Sequence, residues 1–546
     1  MKPVYLLKKY KCFTILLFLY LIQAHSSFAQ SQYQPYSYDF YQKLDGVAYS
    51  TSTREHTALR PFFVDDSLLK SRYDSLMNIN SDGKKHGWGY NKLFNEHLID
   101  IKSANSTFYA DLLPDFTIGK NYSGGKESTS LVSYGFQIGG SISNKFSYNF
   151  TGFENQGNFP EYISTYINQT GMIPGQARAK IYGLDSYDWQ DYTANVSFTP
   201  NKYLNITLGH DKTFIGDGYR STLLSDYASP YPFLKLTADL GNVKYMVMWA
   251  YFNDPIDLDA NGNDRTKWGV FHYLDWNVSN RLSFGFFDSI IWYNRDNAGN
   301  YRGFDVTYLQ PITFLRPLEA TNGSPDNALI GFTGKYKITN GITAYGQFTL
   351  DEFQAKQFFS DGGSSRNKYA WQFGFRGANM FGAQGLNYLI ETNGAKPYTY
   401  SERGPIISYT ANGEPLGQPW GANYREVVAL LNYSYKRFDF SAEGDYGRYG
   451  LDINGLNYGK DPFQDYTTPA KAEGNYIGQG LTTNMYYVEG KVAYILNPKY
   501  NLRLELSGTY RDEKNAQFHD KTALITVGIR SSFRAVYNDL ASFQAH

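Results

Sequence analysis

An all-β fold, a transmembrane antiparallel β-barrel of about 18 strands with a small N-terminal helical segment, is what this sequence predicts. Three observations carry the prediction. Apolar residues recur with a period of two over most of the chain. Short turns alternate with long connections. Aromatic residues reach 18% against 19% charged, with 50 Tyr, 38 Phe and 51 Gly in 546 residues, a mix that suits amphipathic strands and many turns. The mean hydropathy of −0.47 is too low for a bundle of membrane helices, and the aromatic share is too high for a disordered chain. The formal net charge is 0, so no field exists to hold nucleic acid, and no such partner is expected.

Residues 1–29 read as a secretory signal peptide. Lys2, Lys8, Lys9 and Lys11 form a basic stretch, Phe13 to Leu21 an apolar core, and Ser27-Phe28-Ala29 a small-x-small cleavage site. That core has about nine residues, where a spanning helix needs about twenty. Cys12, the only cysteine, precedes the core, so lipidation is not expected. The mature chain, from about Gln30, would have no disulfide. Loss of four lysines and no acid takes the net charge from 0 to −4.

Residues 30–105 form an N-terminal periplasmic or plug segment. Val64, Leu68, Leu69, Tyr73, Leu76 and Met77 make a helical stripe, with Asp65 or Asp66 placed to cap its start. A lumenal plug and a surface tether both fit. Phe159 to Thr170 predicts a second short helix within a connection.

Residues 106–546 form the outer-membrane barrel. Along 499–511, Tyr500, Leu502, Leu504, Leu506 and Tyr510 take one face, and Lys499, Asn501, Arg503, Glu505, Ser507, Thr509 and Arg511 the other. A strand separates these sets, whereas a helix scatters them. The pattern returns at 190–199, 203–208, 281–293 and 342–350. A last strand near 521–536 places Ala523, Ile525, Val527, Ile529 and Phe533 opposite Arg530 and Arg534. Tight turns stand at 143–145, 200–202, 240–242, 279–281, 339–341, 436–437 and 497–499, where Asn and Gly supply the dihedrals of hairpins. Long connections are expected at 211–232, 254–267, 352–367, 397–423 and 448–480. Outer-membrane barrels show this asymmetry, with short turns in the periplasm and long loops outside. Tyr203, Trp249, Tyr251, Trp268, Trp292, Tyr293 and Tyr500 are expected in the interfacial girdles. A soluble solenoid, propeller or sandwich also has an apolar face. Export, the lack of cysteine and a wholly polar second face favour the barrel.

No zinc pattern, phosphate loop, dinucleotide fingerprint or nucleophile elbow occurs, so no cofactor, metal or enzymatic activity is expected. His210-Asp211 with Ser221 or Ser225 is no triad, because adjacent strand residues point to opposite faces. Asp257, Asp259, Asn261, Asn263 and Asp264 resemble part of a calcium loop, but Trp268 stands where the terminal Glu belongs. The richest stretch is Gly209 to Pro232. Glycines at 216 and 218 and prolines at 230 and 232 shape it. It carries Lys212, Asp217, Tyr219, Arg220, Asp226 and Tyr227, and aromatics beside charged groups suit carbohydrate, which offers a C–H face and hydroxyls. An internal Arg220–Asp226 salt bridge holding the loop shut accounts for the same residues.

This stretch resembles the signature of the Wzi family of capsule-assembly outer-membrane proteins, in the Bacteroidetes version that includes the gliding-motility protein RemB. Further blocks are Leu309-Gln310-Pro311-Ile312 through Arg316-Pro317-Leu318-Glu319, Ser324 to Gly331, Tyr345 to Phe348 with Leu350 to Phe353, Asn367-Lys368-Tyr369, Pro397 to Ser401, and Pro419 to Tyr424. Together they cover 95–440. The chain departs at 404–418, which lacks the His-containing segment of the family pattern. The resemblance implies a blocked 18-stranded barrel acting as a surface lectin for capsular or other polysaccharide. It adds Tyr398, Tyr400 and Trp420 to the binding candidates, and implies gliding or capsule-export machinery as partners beside outer-membrane lipid. A diffusion porin is the alternative function.

Overall fold

The computed structural model describes residues 32–61, 63–64, 68–80, 83–125, 127–143, 145–182, 186–259, 261–311, 326–352 and 362–543. The expected signal at 1–29 and the caps Asp65 and Asp66 lie outside the described residues. So do Ile312, Arg316 to Glu319, Ser324, Pro325 and Phe353 of the family-like blocks.

Among the described residues, eighteen strands close into one antiparallel barrel. They begin with β1 (Ser106–Asn121), β2 (Ser128–Ile142), β3 (Phe146–Asn158), β4 (Ser186–Asn201), β5 (Leu204–Asp211) and β6 (Tyr231–Asp239). Next come β7 (Val243–Leu258), β8 (Asp264–Asn277), β9 (Leu282–Tyr293), β10 (Asn327–Thr339), β11 (Ile342–Glu352) and β12 (Lys368–Gly377). The wall ends with β13 (Leu386–Ala395), β14 (Tyr424–Tyr435), β15 (Phe438–Leu451), β16 (Leu481–Asn497), β17 (Leu502–Lys514) and β18 (His519–Arg530). Each strand pairs with the next, and β18 returns to β1 through Ile529↔Phe116 to Leu524↔Asn121. Closure gives every wall strand two neighbours, which a sheet in lipid requires.

Alternation decides which side of the wall each residue takes. On β17, Leu504, Leu506 and Tyr510 face out, Leu506 being 51% exposed, while Ser507, Thr509 and Arg511 are buried toward the lumen. Ile525, Val527 and Ile529 of β18 and Leu112 and Ile118 of β1 are also exposed. An apolar ring of this extent is the lipid-facing surface of a membrane barrel.

Several expectations need correction. The last strand stops at Arg530, not near 536. Ser532 has a positive φ of 70° and turns the chain into the lumen, so Phe533 packs on Phe40 inside rather than joining the lipid face. Tyr500 precedes β17 and, with Leu502, packs on Leu113 and Phe153 inside, where the β16–β17 register shifts between Ile495 and Asn497. Trp249 and Trp292 are buried on the outer wall rather than standing bare in a girdle, whereas Tyr203 is exposed at its turn. The expected connection 254–267 is largely strand, because β7 runs to Leu258 and β8 starts at Asp264.

The tight turns gather at one end of the barrel and the long connections at the other. At the loop end, Glu161–Thr170 forms the expected helix, closed by Gly171 at φ 73°, the left-handed cap that glycine tolerates. At the turn end, the helix Leu68–Met77 buries Leu69, Tyr73 and Met77 against Phe40, Tyr41, Leu44 and Phe533. Between the ends, two terminal segments lie within the wall. In the first, Tyr33 donates to Asp211, Arg376 clamps Asp45 at 2.6 Å, and His56 meets Asp275 at 2.9 Å. In the second, Arg534 reaches Asp115 and Asp191, and Arg511 donates to the Leu540 carbonyl.

Candidate functional site

The connection between β5 and β6 folds into the barrel, because the inward wall offers it carboxylates and amides. The backbone N–H groups of Tyr219 and Arg220 donate to Glu391 of β13 at 3.1 and 2.9 Å. Gln347 of β11 accepts the Thr222 N–H at 2.8 Å and donates to the Ile215 carbonyl at 3.0 Å. Phe214–Ile215 pairs with Leu59–Arg60 of the N-terminal segment as a two-stranded ladder. Backbone groups of Phe214, Ile215, Tyr219, Arg220 and Thr222 are thereby satisfied inside the barrel.

Arg220 is the hub. It binds Glu426 of β14 at 2.7 Å, Asp445 of β15 at 3.5 Å and Asp539 of the C-terminal segment at 2.6 Å. Tyr219 donates to Asp539 at 3.2 Å, and the guanidinium lies over the Tyr219 ring at 4.8 Å. Burial opposes the charge of Arg220, but Asp539 and Glu426 outweigh it and hold the group protonated well above its usual range. Burial likewise opposes the Asp539 carboxylate, and Arg220 still holds it below the usual range. Asp217 accepts from Tyr49 at 2.8 Å and from Thr57, and faces Lys335 at 3.8 Å. Three segments remote in sequence, 33–60, 212–230 and 531–543, therefore meet in the lumen around Asp217 and Arg220.

The other sequence candidates occupy the same plug. Lys212 donates to the Asp226 carbonyl at 2.8 Å, and Tyr537 donates to that carbonyl at 3.0 Å. Burial pushes the Asp226 carboxyl up and the Lys212 ammonium down. Arg220 thus pairs across the barrel with Glu426, Asp445 and Asp539, whereas the closed-loop alternative required Asp226 as its partner. Tyr227 donates to the Tyr166 hydroxyl at 2.8 Å. Tyr400 donates to the Thr222 carbonyl at 2.8 Å, and Tyr398 to that of Asn457 at 2.9 Å. Both have positive φ, 74° and 69°, a strained backbone held by these bonds. Trp420 donates to the Asp539 carbonyl at 3.0 Å and fills the space over Gly447. Tyr227, Tyr398, Tyr400 and Trp420 are 0% exposed. They are packed into the plug and its cover.

Glu391, Glu426, Asp445, Asp539, Tyr49 and Arg376 escaped sequence reasoning. Inward parity on a strand was the one signal available for the wall residues. Asp259 accepts from the Asn261 and Asn263 amides at 2.8 and 2.9 Å, shaping a hairpin tip. Among the described residues, no group of three His, Cys, Asp or Glu is placed to hold a metal ion. Beside the plug lie cavities of about 180 and 90 Å³, and Arg534 and Ala535 of the C-terminal segment line both.

Fold and site together define a class: a membrane β-barrel of eighteen strands whose lumen is occupied by its own chain. No family model matches the sequence, and no curated protein matches it. Among solved structures the chain is similar to Wzi of Escherichia coli, an outer membrane protein involved in group 1 capsule assembly and described as a carbohydrate binding β-barrel. The TM-score is 0.51 at 12% identity, covering 93% of this chain and 100% of that one. It is also similar to Pseudomonas aeruginosa OprD (TM-score 0.40, 8% identity, 77% and 94% covered). Acinetobacter baumannii OccAB2 gives a TM-score of 0.41 at 10% identity, with 78% and 97% covered. The likeness to Wzi is one of fold.

Proposed function

We propose that the chain is a non-enzymatic outer-membrane protein that binds and anchors capsular or other surface polysaccharide at its loop end. In the Bacteroidetes branch that the sequence blocks resemble, this reading includes adhesion or gliding, with export or motility machinery as partners. The observation that carries it is the three-segment plug locked at Arg220. A barrel built for diffusion keeps its lumen open, whereas this one spends its inward charges on internal ion pairs and folds the 212–230 connection into its lumen. Residues 1–29 act as the cleaved signal and residues 30–105 as an N-terminal periplasmic and plug segment. The E. coli neighbour, a carbohydrate-binding barrel, supports the same reading.

With four candidate rings buried, sugar stacking falls to aromatics exposed on the loop-end connections: Tyr122, Tyr182 and Tyr476. A glycan array with the purified barrel is expected to show binding of about −4 to −6 kcal/mol, tens of micromolar to millimolar. Tyr122→Ala and Tyr476→Ala are expected to weaken it, and a barrel that binds no glycan ends the reading. Planar-bilayer recording separates the porin alternative. The intact chain should not conduct, and removal of 532–546 should open steps. Steady conductance of the intact chain favours the porin.

A further inference from the structure

The alternation of the wall breaks on β7, β8 and β9. Register places Val247, His272 and Asp288 side by side, and Trp249, Val270 and Ile290 beside them. These positions share the outward face of Trp276 and Phe284, which are exposed nearer the turn end. His272 and Asp288 are only 3% and 5% exposed, although they stand on the lipid side of the sheet. Ionisable groups bare to lipid are costly there, so protein must cover them.

Over the same outer wall, nearer the loop end, lies the β9–β10 connection, packed on Trp249, Val270, Ile290 and Trp292. The Asn294 carbonyl accepts the Arg302 and Gly303 amides at 2.9 and 3.2 Å, folding the chain back over the outer wall. Trp292 Nε1 donates to the Gly303 carbonyl at 3.1 Å, and Trp249 Nε1 to the Tyr308 carbonyl at 2.8 Å. The Tyr308 ring lies 4.6 Å from that of Trp292, and Phe304 stands edge-on to Trp268 and Trp292. Arg302 clamps the segment to Asp326 at 2.5 and 2.9 Å, and Tyr308 donates to Asp326 at 2.5 Å. Its outer side presents Tyr301, Val306 and Leu309, with Val306 74% exposed.

We propose that Tyr301–Leu309 is a lipid-facing flap, a piece of connection that replaces the wall of β7–β9 as the surface touching the leaflet at the loop end, with acyl chains against Val306 and Leu309. Two features favour lipid over water or a second protein. The flap continues the apolar ring, since Ile330 and Phe332 of neighbouring β10 are exposed on the same side. Its Gly303 and Tyr308 carbonyls are satisfied by indole N–H groups of the wall, the arrangement needed where solvent is scarce and where Trp concentrates.

The test is spin-label accessibility in phosphatidylcholine vesicles. Cys12 is the sole cysteine, so Val306→Cys in a Cys12→Ser background carries one nitroxide. Leu506→Cys serves as the lipid reference and Phe381→Cys, at an exposed turn, as the water reference. Relaxation by oxygen and by a water-soluble nickel chelate is compared. The label at 306 should follow 506, with oxygen dominant, and Arg302→Ala should shift it toward nickel as the clamp is lost. A label at 306 that follows 381 overturns the flap. So does one shielded from both reagents, which points to a protein cover. Nickel access at 506 itself would remove the membrane reading along with the flap.

Discussion

Two connections leave the same rim and fold to opposite sides of one wall. Residues 212–230 go inward, where Glu391, Glu426 and Asp445 await Arg220 and backbone amides. Residues 303–309 go outward, where Trp249, Val270, Ile290 and Trp292 await Phe304 and Tyr308. The inward connection is held by charge and hydrogen bonds, the outward one by ring packing, two indole donors and the Arg302–Asp326 clamp. A loop on a barrel thus goes where the facing side of the sheet satisfies it, and alternation makes those two sides chemical opposites.

The comparison can be broken at either side. The largest effect is expected from Arg220→Met, which leaves Glu426, Asp445 and Asp539 buried around an apolar side chain. Loss of one partner from such a pair costs about 3–5 kcal/mol, read as a lower urea midpoint of the reconstituted barrel. An unchanged midpoint would mean that charge does not hold the inward loop. Trp249→Phe keeps most of the ring but leaves the Tyr308 carbonyl without its donor, a loss of about 1–3 kcal/mol. If proteolysis of the 294–311 connection does not accelerate in that variant, the indoles do not hold the outward loop.

A smaller effect concerns the cap. Lys460 donates to the Trp420 carbonyl and lies 4.5 Å over the Tyr449 ring, and burial pushes its pKa down from 10.5 to about 7 despite Asp452 and Asp461. Between those values the unfolded chain holds the proton and the folded one does not, so stability rises with pH across that window. Thermal scans at pH 7 and pH 9 should show the rise, and Lys460→Met should flatten it. At the low end, Asp259→Ala in the exposed hairpin tip should leave the urea midpoint unmoved, and a clear shift would mean that the tip contacts more than its own turn.

Much of the wall was legible in the sequence because its rule is local. Leu504, Leu506 and Tyr510 face out simply because they alternate with Ser507, Thr509 and Arg511. Asn and Gly marked the turns at 240–242 and 339–341 for reasons confined to a few residues. The alternation also breaks on the wall of β9, where Asp288 interrupts an otherwise apolar face between Phe286 and Ile290. The site was less legible. Tyr219, Arg220 and Asp226 stand out as charge and aromatic chemistry in one loop, but their partners lie far along the chain, at Glu391, Asp539 and Tyr537. Tyr398, Tyr400 and Trp420 read as binding rings because nothing local says that a ring will be buried.

By itself the sequence determined a closed amphipathic sheet, its turn end and loop end, and the short helix at the loop end. Those follow from side-chain parity and turn chemistry within about ten residues. The tertiary structure alone decided that the chain ends at 33–60 and 531–543 fill the lumen, that Arg220 joins them to the wall, and that one connection lies on the outer face. Each of these depends on which buried charge or donor finds its partner across the barrel, and such long-range satisfaction leaves no periodic trace in the order of residues.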